Sequence, residues 1–403
     1  FQNLKTYLND KTANQRAGSA RGLHGLLEAI NQELRQKPAM PATVNGSLNE
    51  SLKQQGYQFG DVESERGFMA SGGHGVVYAE SGDNSKGVVY KKFRELVGGD
   101  LLLSKMKVKQ DEQGLYKMDR NATELAAVSL RNAKVPHVAS PLAYVIKDSW
   151  NEDFHTVGVD YLKQWATENG SAIAGDSSRF VIVGQILPKA EGSSGANLKG
   201  LSVTDKQNIV RQGLEAFKAM AEHGYVHGDI KPDNLMYNTE KQRLQLIDFG
   251  GLTKQSKNDV SGKALGNPLS PEFSIPSTHH PDGPKNNGGY GQEADLFAFG
   301  LTLLNIYLPG VSQVKELRSD TQLMDREGTE EIISELRQNT ALVKPGSPED
   351  LAVKLLELTL AQKNPLTGRL GAGDSALDEI WSQIQEHPIM GTKPAPMPVN
   401  ARV

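Results

Sequence analysis

The feature that most constrains this chain is a set of functional groups crowded into eight positions, His227-Gly228-Asp229-Ile230-Lys231-Pro232-Asp233-Asn234, followed by Asp248 fourteen residues after Asn234. Between them lie an apolar run (Leu235-Met236-Tyr237), a polar run (Asn238-Thr239-Glu240-Lys241) and a second apolar run (Leu244-Gln245-Leu246-Ile247). That order reads as strand, turn and strand. A hairpin there brings Asn234 and Asp248 to one end. A carboxylate and an amide oxygen suit Mg²⁺, which takes one or two protein oxygens and completes its shell with phosphate oxygens. Asp229 is placed to take a proton from a hydroxyl, and Lys231 to neutralise charge on a phosphate in transfer.

Two upstream stretches suit the same chemistry. Ser71-Gly72-Gly73-His74-Gly75-Val76-Val77-Tyr78 reads as a glycine-rich turn between strands. Bare backbone there lets amide groups approach a triphosphate. Val88-Val89-Tyr90-Lys91-Lys92-Phe93 reads as a strand that puts Val89, Lys91 and Phe93 on one face and Lys92 on the other. An inward lysine between apolar neighbours needs an anionic partner, and phosphate oxygens would serve.

These residues carry a family resemblance. The stretch from His227 to Asn234 resembles the catalytic loop of protein kinases, and Asp248-Phe249-Gly250 resembles their metal-binding motif. Gly72, Gly75 and Val77 match the family's glycine-rich loop, with Ala70 in place of its first glycine, and Val88 to Lys91 resembles its lysine-bearing strand. Ser270-Pro271-Glu272 resembles the end of an activation segment, and Asn364 to Arg369 the stretch whose arginine pairs with that glutamate. One departure matters: Gly228 stands where the family usually has an arginine that meets an activation-loop phosphate. The departure predicts an enzyme that works without phosphorylation of that loop.

The resemblance implies an α+β, bilobal fold: a small β-rich lobe over 57–187 and a larger helical lobe over 188–390. It implies ATP and Mg²⁺ as cofactors, and a protein hydroxyl as acceptor. Catalytic roles fall to Asp229, Lys231 and Lys91, with Glu124 as the partner of Lys91. Asn121-x-x-Glu124 is also a capping-box pattern, so Glu124 either meets the lysine or only caps its helix. Gly72, Gly73, Gly75, Val77, Val89, Lys91, Gln185, Leu187 and Met236 fall around the nucleotide, and Asn234 and Asp248 hold the metal. In the same reading His227 and Phe249 are packing residues, and Asp295 holds the backbone of the catalytic loop.

The rest of the chain frames this core. Leu23, Leu26, Leu27, Ile30 and Leu34 mark an amphipathic helix, followed by a linker over 38–50, so 1–56 reads as an extension. That helix either packs on the main domain or docks an activator or scaffold. Strands are expected at Pro141–Ile146 and Phe180–Leu187 with a polar insert between them, and further inserts over 94–118 and 274–292. Thr204 to Gln207 reads as the capping box of a helix ending at Gly224. Helical runs are expected over 330–338, 349–362 and 376–386, and a disordered Pro-rich tail over 391–403. The pair His279-His280 lacks the spacing of a metal site.

Bulk properties exclude several classes. With no cysteine there is no disulfide framework, thiol nucleophile or thiolate metal site. A net charge of −4 gives no footprint for nucleic acid. The apolar run from Leu296 to Leu308 is too short to span a membrane. The chain opens on Phe1 and not Met, so its true N-terminus is expected to lie ahead of it, where a targeting signal could stand, and the style of the motifs resembles kinases that bacterial pathogens inject into host cells, as an alternative to a cytoplasmic enzyme. Two other readings stay open: a small-molecule phosphotransferase of the same superfold, and a pseudokinase scaffold.

Overall fold

The computed structural model describes residues 47–59, 62, 68–72, 75–81, 87–93, 108–110, 116–118, 129–169, 179–249, 252–254, 273, 292–319, 326–361 and 374–391. The expected helix through Leu23 to Leu34, Gly73, Glu124, the stretch Ser270-Pro271-Glu272, the histidines of the 274–292 insert, Arg369 and the Pro-rich tail past Gly391 lie outside them.

The described chain begins with a helix, α1 (Leu48–Gln54), where the sequence reading expects the end of a linker. Its start is a capping box: Glu50 N donates to Ser47 Oγ at 3.3 Å, and Ser47 N to Glu50 Oε2 at 3.0 Å. The polar Asn45-Gly46-Ser47 run that suggests a linker thus ends in a cap. Strands β1 (Ala70–Gly72), β2 (Gly75–Ala79) and β3 (Val88–Phe93) follow, then a separate hairpin of β4 (Val108–Gln110) and β5 (Tyr116–Met118) inside the expected 94–118 insert. Next come β6 (Ala143–Asp148), β7 (Asp153–Gly158), helix α2 (Leu162–Glu168) and β8 (Phe180–Pro188). Six of these strands form one antiparallel sheet in the order β1-β2-β3-β8-β6-β7.

Strand alternation divides that sheet into two faces. Val76, Tyr78, Val88, Tyr90, Val145 and Ile186 cluster on the outer face with Leu48 and Leu52 of α1. Burying each of those leucines contributes about 1.5–3 kcal/mol. A buried bond of 2.8 Å between Ser51 Oγ and Thr156 Oγ1 fixes α1 over β7. The opposite face carries Val77, Val89, Lys91, Gln185 and Leu187, paired in register as Val77↔Lys91, Lys91↔Gln185 and Val89↔Leu187.

The described part of the expected polar insert between β6 and β8 is structured. It adds β7 at the sheet edge and α2, whose buried Trp165 packs edge-to-face on Phe180 at 5.1 Å between ring centroids. Its polar composition hides Leu162, Trp165 and Ala166, which are the residues that bury.

The second region is helical. After β9 (Ser193–Ser194) comes α3 (Val203–Glu222), capped by Ser202 with Asp205 at its third position, two residues before the box expected at Thr204 and Gln207. It stops at Gly224, whose φ of +72° ends the helix. Then follow β10 (Tyr225–Val226), the hairpin β11 (Leu235–Asn238) and β12 (Arg243–Leu246), β13 (Thr253–Lys254), α4 (Gln292–Tyr307), α5 (Ser312–Ser319), α6 (Arg326–Gln338), α7 (Pro348–Ala361), α8 (Asp374–Gln385) and α9 (Pro388–Gly391). Helix α4 is buried along nearly its whole length and meets α3 where Phe299 packs on Phe217 at 4.9 Å. No described helix is long and apolar enough to cross a membrane. The fold is α+β, with a sheet-rich first region and a helical second one.

Candidate active site

The hairpin sets the site. Strands β11 and β12 pair from Asn238↔Arg243 to Leu235↔Leu246, so Asn234 and Asp248 stand just past the last pair. Ile247 N donates to Asn234 O at 3.0 Å and closes that end. The segment 137–139 braces β12 from outside: Leu246 N donates to His137 O at 2.7 Å, and Ala139 N to Leu246 O at 2.9 Å. Backbone alone makes this brace, so no side-chain pattern announces it.

Ahead of the hairpin, Pro232–Asn234 form a single 3₁₀ turn that folds Asn234 back onto Asp229. The Asn234 amide nitrogen donates to Asp229 O at 2.7 Å and to Asp229 Oδ2 at 2.9 Å, leaving its carbonyl oxygen as the atom suited to a cation. Lys231 Nζ lies 3.0 Å from Asp229 Oδ2. Asp229 is only 3% exposed, so these charge-assisted contacts act away from bulk water.

Beneath the loop, Asp295 in the first turn of α4 accepts from His227 N at 2.6 Å and Gly228 N at 3.0 Å. Gly228 turns with φ at +78°, a conformation that favours glycine. Burial pushes the Asp295 carboxyl up to about 7, against the pull of the two amides and with some help from the charge of Asp229. His227 is fully buried, and burial lowers its pKa against the charge of Asp229, which keeps the ring neutral. Its Nδ1 accepts from Asp229 N at 3.3 Å and its ring packs on Phe249 at 5.0 Å. Both residues therefore sit as packing groups.

The first region contributes Lys91. Its Nζ lies 2.5 Å from Asp248 Oδ1, across 157 residues of sequence. Lys92 points the other way and donates to Val62 O at 3.0 Å. Asp248 holds a φ of +60°, which is uncommon for a residue with a side chain. Gly75 pairs with Gly72 where the glycine-rich turn closes, and a Cβ on Gly75 would lie 2.5 Å from Lys92 O, so no larger residue fits there without movement. Val77, Leu187 and Met236 are partly exposed, and Val89 and Gln185 are buried. The structure thus brings Lys91 to Asp248 and gathers Asp229, Lys231 and Asn234 at the same hairpin end. For Glu124 it describes only the helical residues 129–132 that follow.

Hard oxygen donors at the hairpin end, Asn234 and Asp248, fit Mg²⁺. Among the described residues no group of three or more His, Asp or Glu offers a protein-only metal cage. A metal held by two protein oxygens that shares phosphate oxygens needs none.

The family model for the protein kinase domain matches residues 173–381, just over half of the chain. The chain belongs to the protein kinase family. It is similar to the chloroplast serine/threonine-protein kinase STN7 of Arabidopsis thaliana, with 26% identity over 62% of this chain and 44% of that protein. It is 29% identical to the human serine/threonine-protein kinase Kist over 27% of this chain and 26% of Kist. To the calcium/calmodulin-dependent protein kinase type 1 of Caenorhabditis elegans it is 40% identical over 24% of this chain and 26% of that kinase. The chain thus spans less than half the length of these relatives. The kinase-domain match begins after Lys91 and the glycine-rich turn, so the link between those residues and the kinase loop comes from the Lys91–Asp248 contact.

Proposed function

We propose that this protein kinase is an active serine/threonine kinase that transfers the γ-phosphate of ATP to a protein hydroxyl. The observation that carries the reading is the 2.5 Å pair between Lys91 and Asp248. It joins a lysine from the sheet to a carboxylate at the hairpin end that also holds Asp229, Lys231 and Asn234. Asp229 takes the proton of the acceptor hydroxyl as its oxygen bonds to the γ-phosphorus. The bond from that phosphorus to the bridging oxygen breaks, and ADP leaves. Lys231, 3.0 Å from Asp229, lies where it offsets charge on the phosphate in flight. Lys91 holds the α and β phosphates. Asn234 and Asp248 would hold Mg²⁺, which when bound would supply positive charge to the phosphate oxygens. Every role is matched by a residue of the right chemistry, which favours an enzyme over a pseudokinase. Lys231 in the loop favours a serine/threonine acceptor over a small metabolite.

The test incubates the chain with Mg²⁺ and radiolabelled ATP, with and without a protein lysate. Label on protein serine or threonine is the expected result. Label confined to small metabolites would overturn the protein acceptor, and no transfer to either would overturn the enzyme. Asp229→Ala should lower transfer by about 10²–10⁴-fold while nucleotide binding persists. Gly228 supports a further point: phosphatase-treated protein should keep its activity, and loss of activity on that treatment would show control by loop phosphorylation.

A further inference from the structure

The inner face of the small-lobe sheet buries one polar group with nothing to satisfy it. Gln185 is 4% exposed, and its Oε1 makes no hydrogen bond among the described residues. It stands directly across from Lys91 in the pairing of β3 with β8, and across from Tyr144 in the pairing of β6 with β8. Residues directly opposite in antiparallel strands share a face. Gln185 therefore projects to the side on which Lys91 reaches Asp248, away from the outer core around Tyr90 and Ile186. Besides Lys91, whose Nζ is taken up by Asp248, and Tyr144, its neighbours on that face are apolar: Val77, Val89 and Leu187. A buried acceptor without a donor is costly, and such groups in folded proteins call for an explanation.

We propose that Gln185 Oε1 selects the nucleobase, accepting a hydrogen bond from the exocyclic amine of a 6-aminopurine nucleotide. This rests on the nucleotide reading above and extends it. The resemblance places Gln185 near a base without giving its side chain a task. The spacing carries the argument. With the triphosphate drawn to Lys91, the next same-face pair along the strands is Val89 and Leu187, about 6–7 Å away. That stride is comparable to a purine's width. A base lying against Val77, Val89 and Leu187 presents one edge to β8, where Gln185 offers an acceptor. Adenine carries a donor at position 6. A 6-oxopurine carries an acceptor there, which would set lone pair against lone pair and leave Gln185 stranded. Sites that hold a buried partner for one substrate group discriminate strongly against analogues lacking it.

The experiment measures Mg²⁺-dependent binding of ATP and of inosine triphosphate, which replaces the 6-amino group by a 6-oxo group, to the full chain. The wild type should bind ATP at least about tenfold more tightly. Gln185→Met, close in size but lacking the amide, should narrow that ratio to about threefold or less, mainly by weakening ATP. The same variant should melt at a higher temperature without nucleotide, because it removes an unsatisfied buried acceptor. Gln185→Leu serves as a second variant, with its melting transition reporting whether it folds. Equal affinity of the wild type for the two nucleotides would overturn the proposal without any variant. An unchanged ratio in a folded variant would also overturn it while leaving the nucleotide reading intact. No ATP binding by the wild type would overturn both.

Discussion

The two halves of the candidate active site are held in contrasting ways. On the large-lobe side, Asp229 is fixed by Asn234 and Lys231, and the loop backbone beneath it by Asp295, nearly all of it buried. On the small-lobe side, the described tie is one ion pair, Lys91 to Asp248, with the Asp248 side chain 27% exposed and its backbone in the left-handed region. In the proposed mechanism the half that would take the proton is already held by buried hydrogen bonds without substrate. The half proposed to grip the phosphates is held by a contact that a nucleotide's own charges could replace. Preorganisation matters most where charge develops during the reaction. Nucleotide entry instead needs a joint that opens.

The largest break in that contrast should come from Asp295→Ala. It strands the amides of His227 and Gly228, both buried. At about 1–3 kcal/mol for each unsatisfied group, the cost should be roughly 2–6 kcal/mol, read as a lower urea midpoint. A loss under about 1 kcal/mol would mean that the large-lobe half is not held as its geometry indicates.

That rigid half is also the part most legible in the sequence, because short separations carry it. Asp229, Lys231 and Asn234 fall within six positions, and the hairpin that returns the chain to Asp248 follows from apolar and polar runs of strand length. The strand face of Lys91 was equally readable from alternation, since Lys92 has no choice but the other side. Failures arose where packing overrode composition. Ser47 and Ser202 cap helices that begin inside polar runs, and Trp165 gives a polar insert its core. The orphaned side-chain oxygen of Gln185 and the backbone brace at His137 and Ala139 depend on register, which local sequence does not encode.

The same carboxylate makes a second prediction, on pH. Burial raises Asp295 from 3.8 to about 7 in the folded chain. The folded state then binds more protons than the unfolded state between those values. Its contribution to stability is greatest below the unfolded value and is lost as pH rises through about 7. Relative to Asp295→Asn, the wild type should gain roughly 1 kcal/mol per pH unit on going from about pH 7 to pH 5, by urea midpoints across that range. Parallel profiles for the two proteins would show that the two amides keep Asp295 ionised throughout.

A smaller effect is expected at Gly228→Ala. The φ of +78° disfavours a side chain by about 1–2 kcal/mol, and the hydrogen bond from its amide to Asp295 does not change. The loss should appear in stability, with the nucleotide Kd within about twofold of wild type, because Gly228 itself is given no contact to the nucleotide in the proposed mechanism.

The smallest effect on folding, and the sharpest test of the contrast, is Lys91→Met. Breaking a fully buried pair costs about 3–5 kcal/mol, but Asp248 keeps a quarter of its side chain in contact with solvent and can rehydrate. Methionine also preserves most of the packed stem between Val77 and Gln185. The stability loss should therefore be at most about 1 kcal/mol. Nucleotide binding should suffer more, with Kd for MgATP rising at least about tenfold, since the charge removed is the one proposed to meet the phosphates. The comparison turns on the ratio of these two losses. If Lys91→Met unfolds the chain as severely as Asp295→Ala, the ion pair is a structural strut like the loop beneath Asp229. If it weakens binding while leaving the midpoint nearly in place, Asp248 is held by a partner that a nucleotide and its metal can displace, and the small-lobe half is the side built to move.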